Sequence, residues 1–205
     1  MVNLIWKDIL IQKRQIPIYL GIIILCFWED GVPLWWLAFI TSISFIMNAF
    51  YYDEKDNINI LLNSLPYTRK QIVISKYLGA LVFTGLFIGV IMGGGFIING
   101  MELSFSWKDI LHTFGLIMAF LSIIFPFFYK FKQQYLMIGA MVLFVVAVFA
   151  FRIVMQIFNE QFDKVFQWLA SLPELQLYSF TALVILLLYS ASWLLSMRIY
   201  ERKVF

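Results

Sequence analysis

The sequence contains long blocks of apolar residues, most of them about 17–22 residues in length, and this length constrains the fold more than any other feature. A helix of about 20 residues crosses the ~30 Å hydrocarbon core of a bilayer. Hydrophobic residues make up 62% of the chain and charged residues 13%, against roughly half and a quarter in soluble domains. A soluble fold of 205 residues could not bury so much apolar surface. The sequence therefore predicts an all-α integral membrane protein.

The apolar blocks predict six spans in a single transmembrane domain over residues 1–205. Asp30 and Gly31 form a turn signal, so the first two spans are expected to make a tight hairpin. No linker, low-complexity segment or internal repeat divides the chain. The predicted spans are Ile16–Trp28, Val32–Tyr51, Ile74–Ile98, Ile110–Tyr129, Tyr135–Phe151 and Leu177–Met197.

The distribution of lysine and arginine predicts the orientation, because basic residues concentrate on the cytoplasmic side of membrane proteins. With the N-terminus in the cytoplasm, only Lys108, Arg152 and Lys164 of the 15 basic residues fall outside. An even number of spans then places both termini in the cytoplasm. The pattern is typical of a multi-pass protein of a bacterial inner membrane.

The sequence lacks the residue patterns of membrane enzymes and ion-coupled transporters. The single cysteine, Cys26, and the single histidine, His112, cannot build a Cys/His metal site. There is no Walker A loop, H-E-x-x-H or Gly-x-Ser-x-Gly motif. The predicted spans carry almost no charge, whereas ion pathways are marked by intramembrane charge. We therefore expect a non-enzymatic chain without a cofactor or metal, and no nucleic-acid partner.

Two segments outside the spans are expected to form amphipathic helices. Apolar residues of Met1–Gln15 recur at helical spacing, which predicts a helix in the cytoplasmic interface. Trp6 would then lie at headgroup depth, with Lys7 and Lys13 facing anionic lipid. The segment Arg152–Gln176 shows the same periodicity and predicts an amphipathic or re-entrant helix on the outer face, before span six.

The longest polar stretch lies between spans two and three, from Asp53 to Lys76. Acidic residues at its start and Pro66 after an apolar run are the boundary signals of a short helix. Such a helix is too short to span a membrane, so its leucines must be buried against a partner protein or the lipid interface. These leucines are Leu61, Leu62 and Leu65.

Small residues in span three predict close helix packing. Gly85, Gly89 and Gly93 recur at four-residue spacing, which lets two helix backbones approach each other. The contact could be ordinary packing within the chain or a surface that slides when the protein changes state.

The polar stretch resembles the ABC-2 type permease family, in particular its short six-span members associated with the export of antimicrobial or toxic peptides. The shared features are an acidic start, an LL-x-SLP sequence, an Arg-Lys pair and a K-Y-L entry to span three. In this chain they run from Asp53 through Leu61-Leu62-Asn63-Ser64-Leu65-Pro66 and Arg69-Lys70 to Lys76-Tyr77-Leu78. The overall plan of the chain is also similar to that of the family.

The resemblance implies a coupling helix from about Glu54 to Leu65 that docks into a cleft on a separate ATPase subunit, which would hold ATP and Mg. It also implies a pair of permeases, either two copies of this chain or this chain with a sister permease. The expected function is export of a hydrophobic or amphipathic substrate, peptide before lipid or drug. The implied ATPase-coupling residues are Glu54, Lys55, Leu61, Leu62, Ser64, Leu65, Pro66, Arg69 and Lys70.

A protein of a different class would share the same hydropathy. A membrane assembly or immunity protein could bind a partner without transporting anything, and it would need no coupling helix. Copurification of an ATPase distinguishes the two hypotheses.

Overall fold

A computed structural model describes residues 2–28, 33–55, 67–99, 107–131, 135 and 173–202 of the chain. All the regular structure in these ranges is helical. The helices are α1 (Val2–Ile11), α2 (Ile16–Trp28), α3 (Leu34–Lys55), α4 (Arg69–Asn99), α5 (Trp107–Lys130) and α6 (Glu174–Arg202).

The predicted helical membrane architecture is confirmed, while the number of spans stays a prediction. The four helices α3, α4, α5 and α6 are long and apolar enough to cross a membrane. The helices α1 and α2 meet at a bend of 71° and count as a fifth span only if the pair is one broken span. The predicted span Tyr135–Phe151 and the outer helix before Pro173 lie outside the described residues, apart from Tyr135 itself.

Local sequence signals explain where the helices begin. At α3 the backbone N–H groups of Trp36 and Leu37 donate to the carbonyl of Pro33. Proline has no backbone N–H, so it cannot donate to a preceding turn, and the helix begins after it. At α4 Thr68 and Gln71 form a reciprocal capping box, with N–H to side-chain distances of 3.0 and 3.2 Å. This cap explains why α4 begins at Arg69, earlier than the predicted Ile74.

Aromatic side chains fill the core between the spans. Tyr77 of α4 packs edge-on against Phe125 of α5, with ring centroids 4.7 Å apart. Phe45 of α3 packs in the same way against Phe83 of α4, at 4.9 Å. Edge-to-face pairs of this kind stabilise a contact beyond the apolar area they bury. They hold α3, α4 and α5 together as one bundle.

The bundle has two chemically different ends. One end, which we call the basic end, holds α1, the starts of α2 and α4 and the ends of α3, α5 and α6. The opposite end holds the other helix termini. Among the lysines and arginines of the described residues, only Lys108 lies at the opposite end. The helix directions therefore reproduce the asymmetry of basic residues seen in the sequence.

Candidate functional site

Four charged side chains from three helices form a closed ring at the basic end, which we call the charge ring. Lys76 of α4 contacts Asp8 of α1 at 2.9 Å and Asp53 of α3 at 2.7 Å. Lys7 of α1 contacts the same two carboxylates, at 2.6 Å to Asp53 and 3.3 Å to Asp8. Positive and negative groups alternate around the ring, so its net charge is zero.

Three of the four side chains of the charge ring are buried, and Lys7 is partly exposed. The side chains of Asp8, Asp53 and Lys76 are 3%, 5% and 7% exposed. The Lys76 ammonium also donates to the carbonyl of Ala49 at 3.3 Å and lies 5.2 Å from the centroid of the Phe50 ring. Removing charges from water costs several kcal/mol per ion, and only close, well-satisfied pairing offsets that cost. The geometry of the ring meets this requirement.

The ring joins α1 to the two helices on either side of residues 56–66, the connection between α3 and α4. Asp53 lies in the last turn of α3, and Lys76 lies about two turns into α4. Asp8 and Leu4 are the buried residues of α1, one turn apart on the same face. The ring therefore joins α1 to the end of α3 and to the first part of α4.

A second polar contact holds the other side of α4. The Tyr77 hydroxyl lies 2.7 Å from the hydroxyl of Ser192 and 2.8 Å from that of Ser196, both on α6. The Tyr189 hydroxyl, also on α6, donates to the carbonyl of Tyr77 at 2.8 Å. Because Lys76 and Tyr77 are neighbours in sequence, one turn of α4 is fixed to α1 and α3 on one side and to α6 on the other.

The predicted ATPase-coupling residues that the structure describes lie at the two ends of the loop. Glu54 and Lys55 continue α3 to its last turn, so they do not begin a separate helix as the sequence predicts. Arg69 and Lys70 are the first residues of α4. The Arg69 guanidinium donates to the carbonyl of Glu201 at 2.6 Å, and the Lys70 ammonium lies 3.8 Å from the carboxylate of Glu201. The remaining predicted residues, Leu61, Leu62, Ser64, Leu65 and Pro66, lie outside the described residues.

The structure corrects two expectations about single lysines. Lys7 does not face lipid, because its ammonium turns inward to the carboxylate of Asp53. Lys76 is not part of a polar loop, because α4 begins earlier than predicted and Lys76 lies buried within it. The outward face of α1 is instead mostly apolar, with Val2, Trp6 and Leu10 exposed beside Asn3. That face is suited to a membrane interface.

The predicted helix-packing glycines differ from the glycines that make close contacts. A Cβ atom added at Gly85, Gly89 or Gly93 meets none of the described neighbouring atoms within 4 Å. A Cβ at Gly94 would lie 2.7 Å from the ring of Phe27 on α2. The close approach of α4 to α2 therefore occurs at Gly94, and the predicted glycine stripe faces outward.

The sequence analysis missed the charge ring. The available signals were charges in otherwise apolar stretches, the neighbours Lys7 and Asp8 on α1 and Lys76 between Ile72 and Leu78. A charge in an apolar stretch needs a partner of opposite sign, but the sequence of the stretch does not show which residue that partner is.

One comparison with known proteins gives a match. A family model described as "ABC-2 family transporter protein" matches residues 3–201. The matched range includes nearly all of α1 and extends almost to the end of α6. No curated protein and no solved structure matches the chain.

Proposed function

The chain belongs to the ABC-2 family of transporter membrane proteins, and from this premise we propose that it is the permease subunit of an exporter driven by a separate ATPase subunit. As a multi-pass helical protein of this family it supplies the membrane part of a transporter. The ATPase, which would bind ATP and Mg, supplies the free energy. The observation that carries this proposal is the charge ring, because it joins α1 to the helices on both sides of the connection between α3 and α4.

We propose that the ATPase contacts the segment between α3 and α4. Glu54 and Lys55 end α3 and Arg69 and Lys70 begin α4 at the same end of the bundle, so the loop between them starts and finishes on one surface. These charged residues would form the rim of the contact. The leucines in between, Leu61, Leu62 and Leu65, would fill an apolar cleft on the ATPase, since leucines in a polar segment too short to span the membrane need a partner.

The basic end also indicates how the protein is oriented in the membrane. Basic residues concentrate on the cytoplasmic side of membrane proteins, and the basic end carries all the described lysines and arginines except Lys108. We therefore place the basic end, both termini and the ATPase in the cytoplasm of a bacterial cell, with the protein in the inner membrane. The exposed apolar face of α1 would lie in the cytoplasmic lipid interface.

The substrate and the second permease would meet the outward apolar surfaces of the bundle. Helix α6 exposes many leucines, among them Leu183, Leu186 and Leu194, to lipid or to another protein. We propose that the protein works as a pair, with a second copy or with a sister permease. A path lined by such surfaces suits a hydrophobic or amphipathic substrate, and we favour an amphipathic peptide over a lipid or a drug.

The transport step would proceed through the charge ring. Closure of the ATPase subunits on ATP would move the loop, and thus the end of α3 and the start of α4. Asp53 and Lys76 would carry this motion to α1, and Tyr77 would carry it to α6. The permease pair would then open to the outside.

Affinity purification of the tagged chain from its native host, in mild detergent and with mass spectrometry, tests this proposal. We expect a stoichiometric ATPase that hydrolyses ATP and that is lost in the Leu62→Asp variant. Asn63→Asp is the matched control, because it adds the same charge to the neighbouring residue without removing a leucine. A clean complex without an ATPase would refute the permease proposal and favour a non-transporting assembly or immunity protein. Retention of the ATPase by Leu62→Asp would refute only the docking assignment.

A further inference from the structure

The connection between α1 and α2 carries two exposed positive charges. Residues 12–15, which we call the elbow, join the two helices at a bend of 71°. Lys13 and Arg14 are exposed there, and neither forms an ion pair with a residue that the structure describes. Lys7, the other lysine predicted to face anionic lipid, turns inward to Asp53. The charge at the elbow is therefore not compensated within the described bundle.

The residues on either side of the two cations are fixed to the bundle. Gln12 is fully buried, and its carbonyl accepts the backbone N–H groups of Gln15 and Ile16 at 2.8 and 3.2 Å. The side-chain amide of Gln15 donates to the hydroxyl of Tyr52 on α3 at 2.8 Å. Because the elbow is held from within at both of its ends, the two charged side chains between them face away from the bundle.

The elbow is suited to the depth of lipid headgroups. A bend of 71° brings α1 close to the membrane plane when α2 runs near the membrane normal. Before the elbow α1 exposes Trp6 and Leu10, and after it α2 exposes Ile18 and Ile22. Apolar surface on both sides of a charged turn is expected where a chain passes from the interface into the hydrocarbon. A lipid beside α2 would then have its headgroup at the elbow.

The two basic side chains determine the sign of the ligand. The helix termini do not, because α1 ends and α2 begins at the elbow, and the partial charges of these two termini are opposite. Asp8, the acidic residue closest to the elbow in sequence, is buried in the charge ring and paired with Lys7 and Lys76. An arginine binds a phosphate through two parallel hydrogen bonds, and a lysine binds it as a point charge. Lys13 and Arg14 together therefore suit a phosphate group.

We propose that the elbow binds the headgroup of an anionic phospholipid. The Lys13 ammonium and the Arg14 guanidinium pair with its phosphate, and Ile18 and Ile22 contact its acyl chains. A zwitterionic lipid carries its own cation beside the phosphate, so it pairs less well with two positive side chains. The site rests on the proposed position of α1 in the lipid interface and not on the ATPase contact. A chain that recruits no ATPase would still bind the lipid.

Native mass spectrometry of the full chain in dodecyl maltoside, a neutral detergent, measures the dissociation constant of the first bound lipid. Phosphatidylglycerol is the probe, and phosphatidylcholine with the same acyl chains is the zwitterionic control. Glycerol phosphate, which has a phosphate but no acyl chain, tests a soluble ligand. Each basic residue near anionic lipid strengthens binding about fivefold. We therefore expect phosphatidylglycerol to bind at least about tenfold more tightly than phosphatidylcholine and than glycerol phosphate.

Charge removal at two places on the basic end locates the site. The double variant Lys13→Gln and Arg14→Gln should bind phosphatidylglycerol within about twofold of phosphatidylcholine, because the selective charges are gone. The matched control is Lys130→Gln with Arg198→Gln. It removes two exposed charges from α5 and α6, which pack against each other, whereas α1 packs on α3 and α4. This control should keep the preference of the wild type.

A charge-conserving variant tests the elbow without changing its net charge. Lys13→Arg with Arg14→Lys should keep the affinity for phosphatidylglycerol within about threefold, since both cations remain. An SDS unfolding midpoint equal to that of the wild type shows that a variant is folded. If the double glutamine variant does not fold, Lys13→Gln alone replaces it, with an expected loss of about fivefold.

Three results would overturn the proposal. The first is equal affinity of the wild type for phosphatidylglycerol and phosphatidylcholine. The second is an equal loss of preference in the elbow variant and in the control on α5 and α6, because the effect would then be one of total charge. The third is binding of glycerol phosphate as tight as that of the lipid, which would assign the elbow to a soluble phosphate.

Discussion

Replacement of Lys76 by methionine should destabilise the bundle strongly, because it leaves two buried carboxylates without the cation between them. Asp8 and Asp53 lie 2.9 and 2.7 Å from the Lys76 ammonium and are almost inaccessible to water. Methionine preserves much of the length and apolar contact of the side chain, so the change acts mainly on charge. The sum of charges in the ring falls from zero to minus one.

The burial of the two carboxylates determines how large the loss of stability should be. Breaking a buried ion pair by removing one partner costs about 3–5 kcal/mol, since the remaining charge is not compensated. Lys7 stays in contact with both carboxylates and is partly exposed, so it neutralises one of them. We therefore expect the free energy of unfolding to fall by about 3 kcal/mol, the lower end of that range.

Unfolding in mixed micelles with increasing SDS, followed by tryptophan fluorescence, measures the change. Lys70→Met is the matched control: its ammonium lies 3.8 Å from Glu201, with side chains 66% and 43% exposed. Exposed pairs contribute about 0–1 kcal/mol. If Lys76→Met and Lys70→Met unfold at the same SDS fraction, the charge ring does not stabilise the bundle and the prediction is refuted.

Replacement of all four residues of the ring tests whether the ring is needed for substrate export as well as for the stability of the bundle. The variant Lys7→Met, Asp8→Leu, Asp53→Leu and Lys76→Met contains no uncompensated charge, and hydrophobic replacements of buried ion pairs are often neutral or stabilising by about 1–4 kcal/mol. It should therefore unfold no more easily than the wild type. If the ring carries motion from the loop to α1, this stable variant should still recruit the ATPase but lose substrate export. Full export would show that the ring is only structural.

Three further predictions concern α4 and use the same unfolding assay. Tyr77→Phe removes the contacts of the Tyr77 hydroxyl with Ser192 and Ser196 of α6 and should cost about 1 kcal/mol, as is usual for hydrogen bonds between membrane helices, whereas Tyr51→Phe on an exposed face should have no effect. Gly94→Ala should destabilise by about 1–3 kcal/mol, because its Cβ would lie 2.7 Å from the ring of Phe27. Gly89→Ala meets no described atom and should stabilise α4 by up to about 1 kcal/mol through helix propensity. Equal effects of the two alanines would contradict the packing described for α4.

Hydropathy predicted the four long apolar helices α3, α4, α5 and α6 because the requirement for burial in lipid acts on each segment separately. A backbone in hydrocarbon must satisfy its own hydrogen bonds, so an apolar block of sufficient length becomes a helix regardless of its neighbours. The bounds of α2 are those predicted, Ile16–Trp28. The start of α4 was missed because the capping box of Thr68 and Gln71 acts locally and does not depend on hydropathy.

The charge ring could not be predicted in the same way, because it depends on which helices are neighbours. Lys76 and Asp8 are separated by 68 positions in sequence, and Lys7 and Asp53 by 46. Acidic residues are disfavoured near a helix C-terminus, so Asp53 and Glu54 indicated the start of a new helix. In the structure the two lysines compensate Asp53, and α3 continues to Lys55.

Helix α3 connects the charge ring at the basic end to the opposite end of the bundle. Trp35 lies in the first turn of α3, and Asp53 joins the ring in the last turn. At 1.5 Å per residue the 18 positions between them span about 27 Å, close to the thickness of the hydrocarbon core. The proposed transport step requires a displacement of Asp53 to be carried along α3, which would bring it to the opposite side of the membrane.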